Sequence, residues 1–342
     1  MTAELWVDLL AVQKNWQNFA PVAAAVIKAD AYGLGALPVA RVLYAAGCRH
    51  FFVAHLAEAL PLRPIVPGAM LAVLNGLWPG AAPAYVEHGI TPVLGSLAEI
   101  DEWAARAPAI LHVDTGMNRL GLSPADCGQL TPERLRGPWR YIMTHLVAAE
   151  HPGDPINAIQ HARFTAVCAL LPDVPASFAN SSGLFLGPDF GSALARPGAA
   201  LFGVNPTPGR PNPMRSVVTL RARILHIRTI QTGETVGYNG TWTAPRPSRI
   251  ATVSVGYADG YPRALGNRGA AHFDAQAVPL VGRVSMDLTT FDVTETRAAP
   301  GDWLELIGPS MPVDEVAARA DTNGYEILTQ LGCRYTRIYS GA

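Results

Sequence analysis

The first 205 residues switch eight times between a short apolar run and a longer helix-like one. The apolar runs fall at 23–28, 50–54, 70–74, 91–94, 109–114, 140–145, 175–180 and 199–204. They are short and do not alternate with polar residues, as strands buried on both faces should be. Amphipathic segments such as 37–46, 96–106 and 155–171 lie between them. Ser96 followed by Glu99 reads as a capping box, and Pro155 suits a helix's first turn. Eight strand-then-helix units predict an α/β fold with an N-terminal (β/α)8 TIM-like barrel, a doubly wound open sheet being the alternative.

The pattern breaks at Pro206-Thr207-Pro208-Gly209-Arg210-Pro211-Asn212-Pro213, which can be neither helix nor central strand. Beyond it, segments 217–230, 250–255, 278–284, 288–293 and 303–307 are β-branched or alternating. Only 313–320 and 325–331 look helical. The expected organisation is a barrel over 1–209 and a mostly β domain over 210–342. A net charge of -1 and a pI near 6.8 give no electrostatic case for nucleic acid or an anionic membrane. No run of 18 apolar residues occurs, and Met1-Thr2-Ala3-Glu4 does not read as a signal peptide. Four separated cysteines argue against a zinc site or a disulfide framework, so no metal is expected and a cytoplasmic setting fits.

The chain holds only two lysines, Lys14 and Lys28, against 24 arginines. Arginine cannot lose its proton and attack a carbonyl, whereas lysine can. Lys14 lies in a helix-like stretch and reads as a surface charge. Lys28 closes an apolar run and precedes Ala29-Asp30-Ala31-Tyr32-Gly33-Leu34-Gly35, which invites a chemical role. Barrel chemistry collects where strands end. Those ends carry Lys28, Asn75, Asp114 leading to Arg119, His145, Asn180-Ser181, and Arg196-Pro197-Gly198. Each alone could be a helix cap, a satisfied strand-end histidine or a surface ion pair; together they face one mouth. A helix N-terminus at Asn180-Ser181-Ser182-Gly183 would bind phosphate, and Gly198 would let backbone approach a ligand closely. A lone amine beside a phosphate site is what pyridoxal phosphate needs. Gly33-Leu34-Gly35 lacks the third glycine and the later acid of a dinucleotide fingerprint.

Val26-Ile27-Lys28-Ala29-Asp30-Ala31-Tyr32-Gly33-Leu34-Gly35 resembles the signature of the alanine racemase family. Asp114-Thr115-Gly116-Met117-Asn118-Arg119-Leu120-Gly121, Thr144-His145-Leu146, Ala179-Asn180-Ser181 and Arg196-Pro197-Gly198 resemble further family motifs. So do Val255-Gly256-Tyr257-Ala258-Asp259-Gly260-Tyr261-Pro262-Arg263 and Gly282-Arg283-Val284-Ser285-Met286-Asp287. They stand in family order over nearly the whole chain.

The resemblance implies a pyridoxal phosphate-dependent racemase (fold type III) that interconverts L- and D-alanine and supplies D-alanine for peptidoglycan. Lys28 would bind the cofactor covalently and serve as one base. Tyr257, from a partner subunit's β domain, would be the other, so the active site would need a homodimer. Two bases on opposite faces of Cα allow racemisation without rotating the substrate. Tyr32, Ser181, Gly198 and Ala199 would hold the phosphate, with Asn180 and His145 also at the cofactor and Arg196 facing the pyridine nitrogen. Arg119 and the Met286 amide would meet the substrate carboxylate.

The chain departs from the family in places. His112 stands where many members carry a lysine modified to a carbamate, so no carbamate is expected and Arg119 should find another acceptor, such as a bound anion. Ser285 replaces a cysteine. Cys333 falls where some members place a tyrosine near the pocket, which bears on strict alanine preference. The rival readings are a racemase for serine or larger amino acids, a decarboxylase of the same fold, and a barrel that binds the cofactor without catalysis. The last is disfavoured by 214–342 with Tyr257.

Overall fold

In the computed structural model, which describes residues 2–341, seven short parallel strands run in sequence order from Ala25–Val26 to Ala176–Ser177. Five further expected apolar runs coincide with strands between those two ends, His50–Val53, Met70–Val73, Thr91–Leu94, Ala109–His112 and Trp139–Met143, and helices Ala36–Ala45, Leu97–Trp103 and Pro155–Cys168 cover their outside. Alternate residues turn inward. Val26, Phe52, Ala72, Val93, Ile110, Met143 and Leu194 form a core separate from the one beneath the helices. Each large apolar side chain so buried contributes about 1.5–3 kcal/mol.

The eighth expected strand is corrected. Residues 199–204 do not form a strand; Ala199–Phe202 is a 3-10 turn. The eighth position is taken by the segment just before it. Ala24 and Val26 donate to the carbonyls of Ala195 and Pro197, Ala195 donates to Val22, and Arg196 donates to Ala179. These bonds join the first strand to the last and close the barrel. A short apolar run cannot be told from a buried turn by periodicity alone.

The β domain is an eight-stranded sheet built on the long strand Val218–Ile230. Its first half pairs antiparallel with Trp303–Ile307 and Ala3–Asp8, its second half with Ser248–Val253. Ala3–Asp8 therefore belongs to the second sheet rather than to the barrel, and it also pairs parallel with Thr336–Ser340. Buried Ala3, Leu5 and Val7 alternate with outward residues, as a strand with one covered face requires. Helices Val313–Ala320 and Gly324–Gln330 lie where the sequence placed them. Segment 206–213 connects the two parts without regular structure. Among the described residues, no helix is long and apolar enough to cross a membrane, and the four cysteines are free.

Helix Gly324–Gln330 ends against the turn Tyr257–Asp259. Gly260, with φ +87°, lies against the Gln330 carbonyl so closely that a Cβ would collide with its oxygen. Gly260→Ala should combine left-handed strain with overpacking and cost on the order of 3 kcal/mol, read as a lowered midpoint in chemical denaturation. A midpoint equal to that of the parent chain would show that this contact does not constrain the fold.

Candidate active site

Lys28 follows the first barrel strand and opens a turn of unusual backbone. Ala29, Asp30, Ala31 and Tyr32 all have positive φ, between 51° and 57°. Left-handed conformation costs a non-glycine residue roughly 1–2 kcal/mol, so the four together store about 4–8 kcal/mol. Bonds on several sides hold the run. The Ala31 amide donates to Ile27 and the Gly33 amide to Ala29. Asp30 Oδ1 accepts from the Ala36 amide at 2.7 Å, and Glu58 Oε1 from the Ala29 amide at 2.7 Å. From the β domain, Arg337 donates to the Gly33 carbonyl at 3.1 Å. The Tyr32 ring rests on Phe202, centroids 4.9 Å apart.

Lys28 and Tyr32 line a cavity of about 670 Å³ at the barrel mouth, together with Arg119, His145, Asn180, Ser181, Arg196, Gly198 and Ala199. Ser181 Oγ accepts from the amides of Gly198 and Ala200 at 3.0 and 3.2 Å. Gly198 lies against the Tyr32 hydroxyl, where a Cβ would collide. Two amides, a serine hydroxyl and a phenol hydroxyl thus converge on one corner, a cluster suited to phosphate oxygens. Asn180 Oδ1 instead caps the Gly183 amide at 2.8 Å.

Arg196 is buried and has no carboxylate partner among the described residues. It donates to the Ser177 carbonyl and hydroxyl at 2.8 and 2.6 Å and to the Thr144 carbonyl at 2.5 Å. Burial pulls its guanidinium down to about 10. His145 falls to about 3, first through burial and then through Arg196 and Arg119. Buried His112 falls to about 4, again through burial and then Arg196, with Asp114 opposing. The Lys28 amine is lowered by burial and by Arg119, while Glu58 opposes the shift. These shifts keep both imidazoles neutral at pH 7, and the guanidinium groups of Arg119 and Arg196 leave the mouth positively charged, a setting suited to an anion.

Two expected residues are elsewhere. Tyr257 and Met286 are 43% and 53% exposed on the β domain and do not line this cavity. Their turns are bonded to each other: the Tyr257 amide donates to Ser285 and the Ala258 amide to Met286. Arg334 ties both turns down, pairing with Asp259 at 2.6 Å and Asp287 at 2.7 Å. Arg119 is exposed at the mouth and meets no protein acceptor among the described residues. Asn75 approaches His55, and Asp114 accepts from the Gly116 and Met117 amides, so both shape loops. Sequence reasoning missed Glu58, whose position in a helix's first turn looks like an ordinary cap. It also missed Tyr325 and Thr329, which the helix of the β domain brings to the cavity.

A closed parallel barrel with a lysine and an anion corner at its mouth, followed by a β domain, defines a two-domain barrel protein with a lysine-centred site. Family models match the chain twice: the alanine racemase N-terminal domain over residues 7–206 and the C-terminal domain over 217–339. A protein named alanine racemase from Acidiphilium cryptum is 55% identical over 348 residues, covering 98% of both chains. One from Brucella abortus is 46% identical, covering 98% of this chain and 93% of that one. The crystal structure of alanine racemase from Bartonella henselae with covalently bound pyridoxal phosphate superposes with a TM-score of 0.95 at 42% identity, over 99% of this chain and all of that one. The biosynthetic alanine racemase from Pseudomonas aeruginosa gives 0.92 at 32% identity, over 99% of each. This chain belongs to the alanine racemase family.

The two depressed histidines make stability depend on pH. An unfolded chain protonates them below about pH 6.5, whereas the folded one resists until about 4 for His112 and about 3 for His145. Their contribution is complete above pH 6.5 and is lost as pH falls toward those values. The denaturation midpoint of the cofactor-free chain should drop from pH 7 to pH 5, and His112→Leu should flatten the drop. An equal slope in the variant would contradict the assignment.

Proposed function

We propose that this chain is a pyridoxal phosphate-dependent alanine racemase that works as a homodimer with shared active sites in the cytoplasm, supplying D-alanine for the cell wall. The observation that carries the reading is the separation just described. One chain's cavity holds Lys28 and the anion corner, while its Tyr257 and Met286 stand exposed on another surface. A second copy would complete each site, with the barrel of 1–209 receiving Tyr257 from the partner's 210–342.

The residues fit the cofactor. Tyr32, Ser181, Gly198 and Ala199 would hold its phosphate, Asn180 and His145 would flank it, and Arg196 would face the ring nitrogen. When bound, pyridoxal phosphate supplies an electron sink that makes the Cα proton of an amino acid removable. Lys28 Nζ exchanges that proton on one face and Tyr257 Oη on the other. The lowered proton affinity of Lys28 suits a base near neutral pH. Neutral His145 can accept a hydrogen bond or pass a proton without adding charge beside Arg196. The Arg196 guanidinium, bonded among the described residues only to neutral oxygens, would keep its protons and leave the ring nitrogen without one. Arg119 and the Met286 amide orient the substrate carboxylate.

The test is racemisation of L-alanine, L-serine and L-lysine followed by chiral analysis, with alanine expected to dominate. Lys28→Ala and Tyr257→Phe should each reduce alanine turnover by at least a hundredfold. Mixing and re-equilibrating the two variants should restore about a quarter of the parent activity, because mixed dimers rebuild one intact site. Recovery of none would argue against sites shared between subunits, and an unimpaired Tyr257→Phe would remove Tyr257 from the chemistry.

A further inference from the structure

We propose that Glu58 is a positioning residue for Lys28, clamping the left-handed turn to the neighbouring strand end and holding a carboxylate against the peptide that follows the amine-bearing residue. The inference rests on the reading of Lys28 as the cofactor lysine. Glu58 sits in the first turn of helix Leu56–Leu62, which follows the strand His50–Val53 next to that of Lys28. Its carboxylate is used on both sides. Oε2 accepts from the Ala54 and His55 amides at 2.7 and 3.1 Å, satisfying the start of its own helix. Oε1 reaches across to the Ala29 amide at 2.7 Å. That amide belongs to the residue after Lys28 and the first of the four left-handed ones.

An ordinary helix cap would use only Ala54 and His55. The third bond has no role in capping Leu56–Leu62; it fixes the peptide that carries the lysine relative to the adjacent strand. The charge matters as well. Arg119 lowers the proton affinity of Lys28 and Arg196 stands in the same mouth, while the neutral His145 adds no charge. Glu150 and Glu326 also line the cavity, but it is Glu58 that opposes the depression of Lys28. It therefore acts through Lys28 and does not touch the reacting atoms.

Two variants separate reach from charge. Glu58→Gln keeps the length and an acceptor but removes the charge. Glu58→Asp keeps the charge but cannot span to Ala29. The full chain, stripped of cofactor, is mixed with pyridoxal phosphate across a pH series, and covalent attachment is followed by absorbance and by borohydride trapping with peptide mapping. In Glu58→Gln the pH at which attachment reaches half its maximal rate should fall by about half a pH unit or more, because an opposing charge is gone. In Glu58→Asp that midpoint should move less, while kcat for alanine falls roughly 10- to 100-fold at nearly unchanged KM, the mark of a displaced base. An unmoved midpoint in Glu58→Gln, or a loss of thermal stability in both variants with parent kcat per bound cofactor, would overturn the proposal. Glu58→Gln decides the matter even where Glu58→Asp fails to fold. Label on Lys14 instead of Lys28 would sink the site reading itself, whatever Glu58 does.

Discussion

The four-residue left-handed turn after Lys28 is the constraint around which the rest is arranged. Ala29, Asp30, Ala31 and Tyr32 would relax if left alone, because none is glycine and each stays in a disfavoured region. They stay there because both domains hold them. The barrel contributes the Glu58 carboxylate and the Phe202 ring, and the β domain contributes Arg337. The turn sets Lys28 and Tyr32 together at the cavity. A more ordinary turn would not need support from a second domain, so the cost of the geometry and the two-domain design are linked.

The electrostatics of the mouth follow the same logic of unsatisfied demand. A buried guanidinium bonded only to neutral oxygens and two imidazoles forced neutral are unfavourable arrangements for a site meant to stay empty. An anion entering the mouth would supply the counter-charge that Arg196 does not find among the described residues. Buried His112 fits this pattern. A neutral buried ring adds no charge, which leaves Arg119 free at the mouth to meet a ligand rather than a neighbour.

The parts of the site at barrel strand ends were legible in the sequence. Lys28 and Ser181 each stand at the end of a short apolar run, and the architecture places such ends together, whereas Arg196 was placed ahead of the expected last strand and instead lies in the segment that takes that position. Tyr257 and Met286 were legible only as motifs, since periodicity in a β domain carries no information about which surface meets which. Glu58 was illegible because its sequence context is that of any acid in a first helical turn. The eighth strand was misplaced because 199–204 is more apolar than the Ala-Leu-Ala-Arg-Pro segment that fills the position. Ala3–Asp8 was overlooked because its partners lie more than 200 and 300 residues away, and no local pattern reports so distant a pairing.

That distant pairing has a kinetic side. Ala3–Asp8 is among the first residues made, yet its neighbours Val218–Ile230 and Thr336–Ser340 come much later. The barrel can condense from successive local units while this strand waits with open edges on both sides. Closing so large a loop is entropically slow, and an unpaired edge is a template for the wrong partner. A chaperone, or quick docking of Val218–Ile230, would matter most in that interval. Assembly of the β sheet, rather than of the barrel, is then the step at which the lysine turn first acquires its Arg337 support.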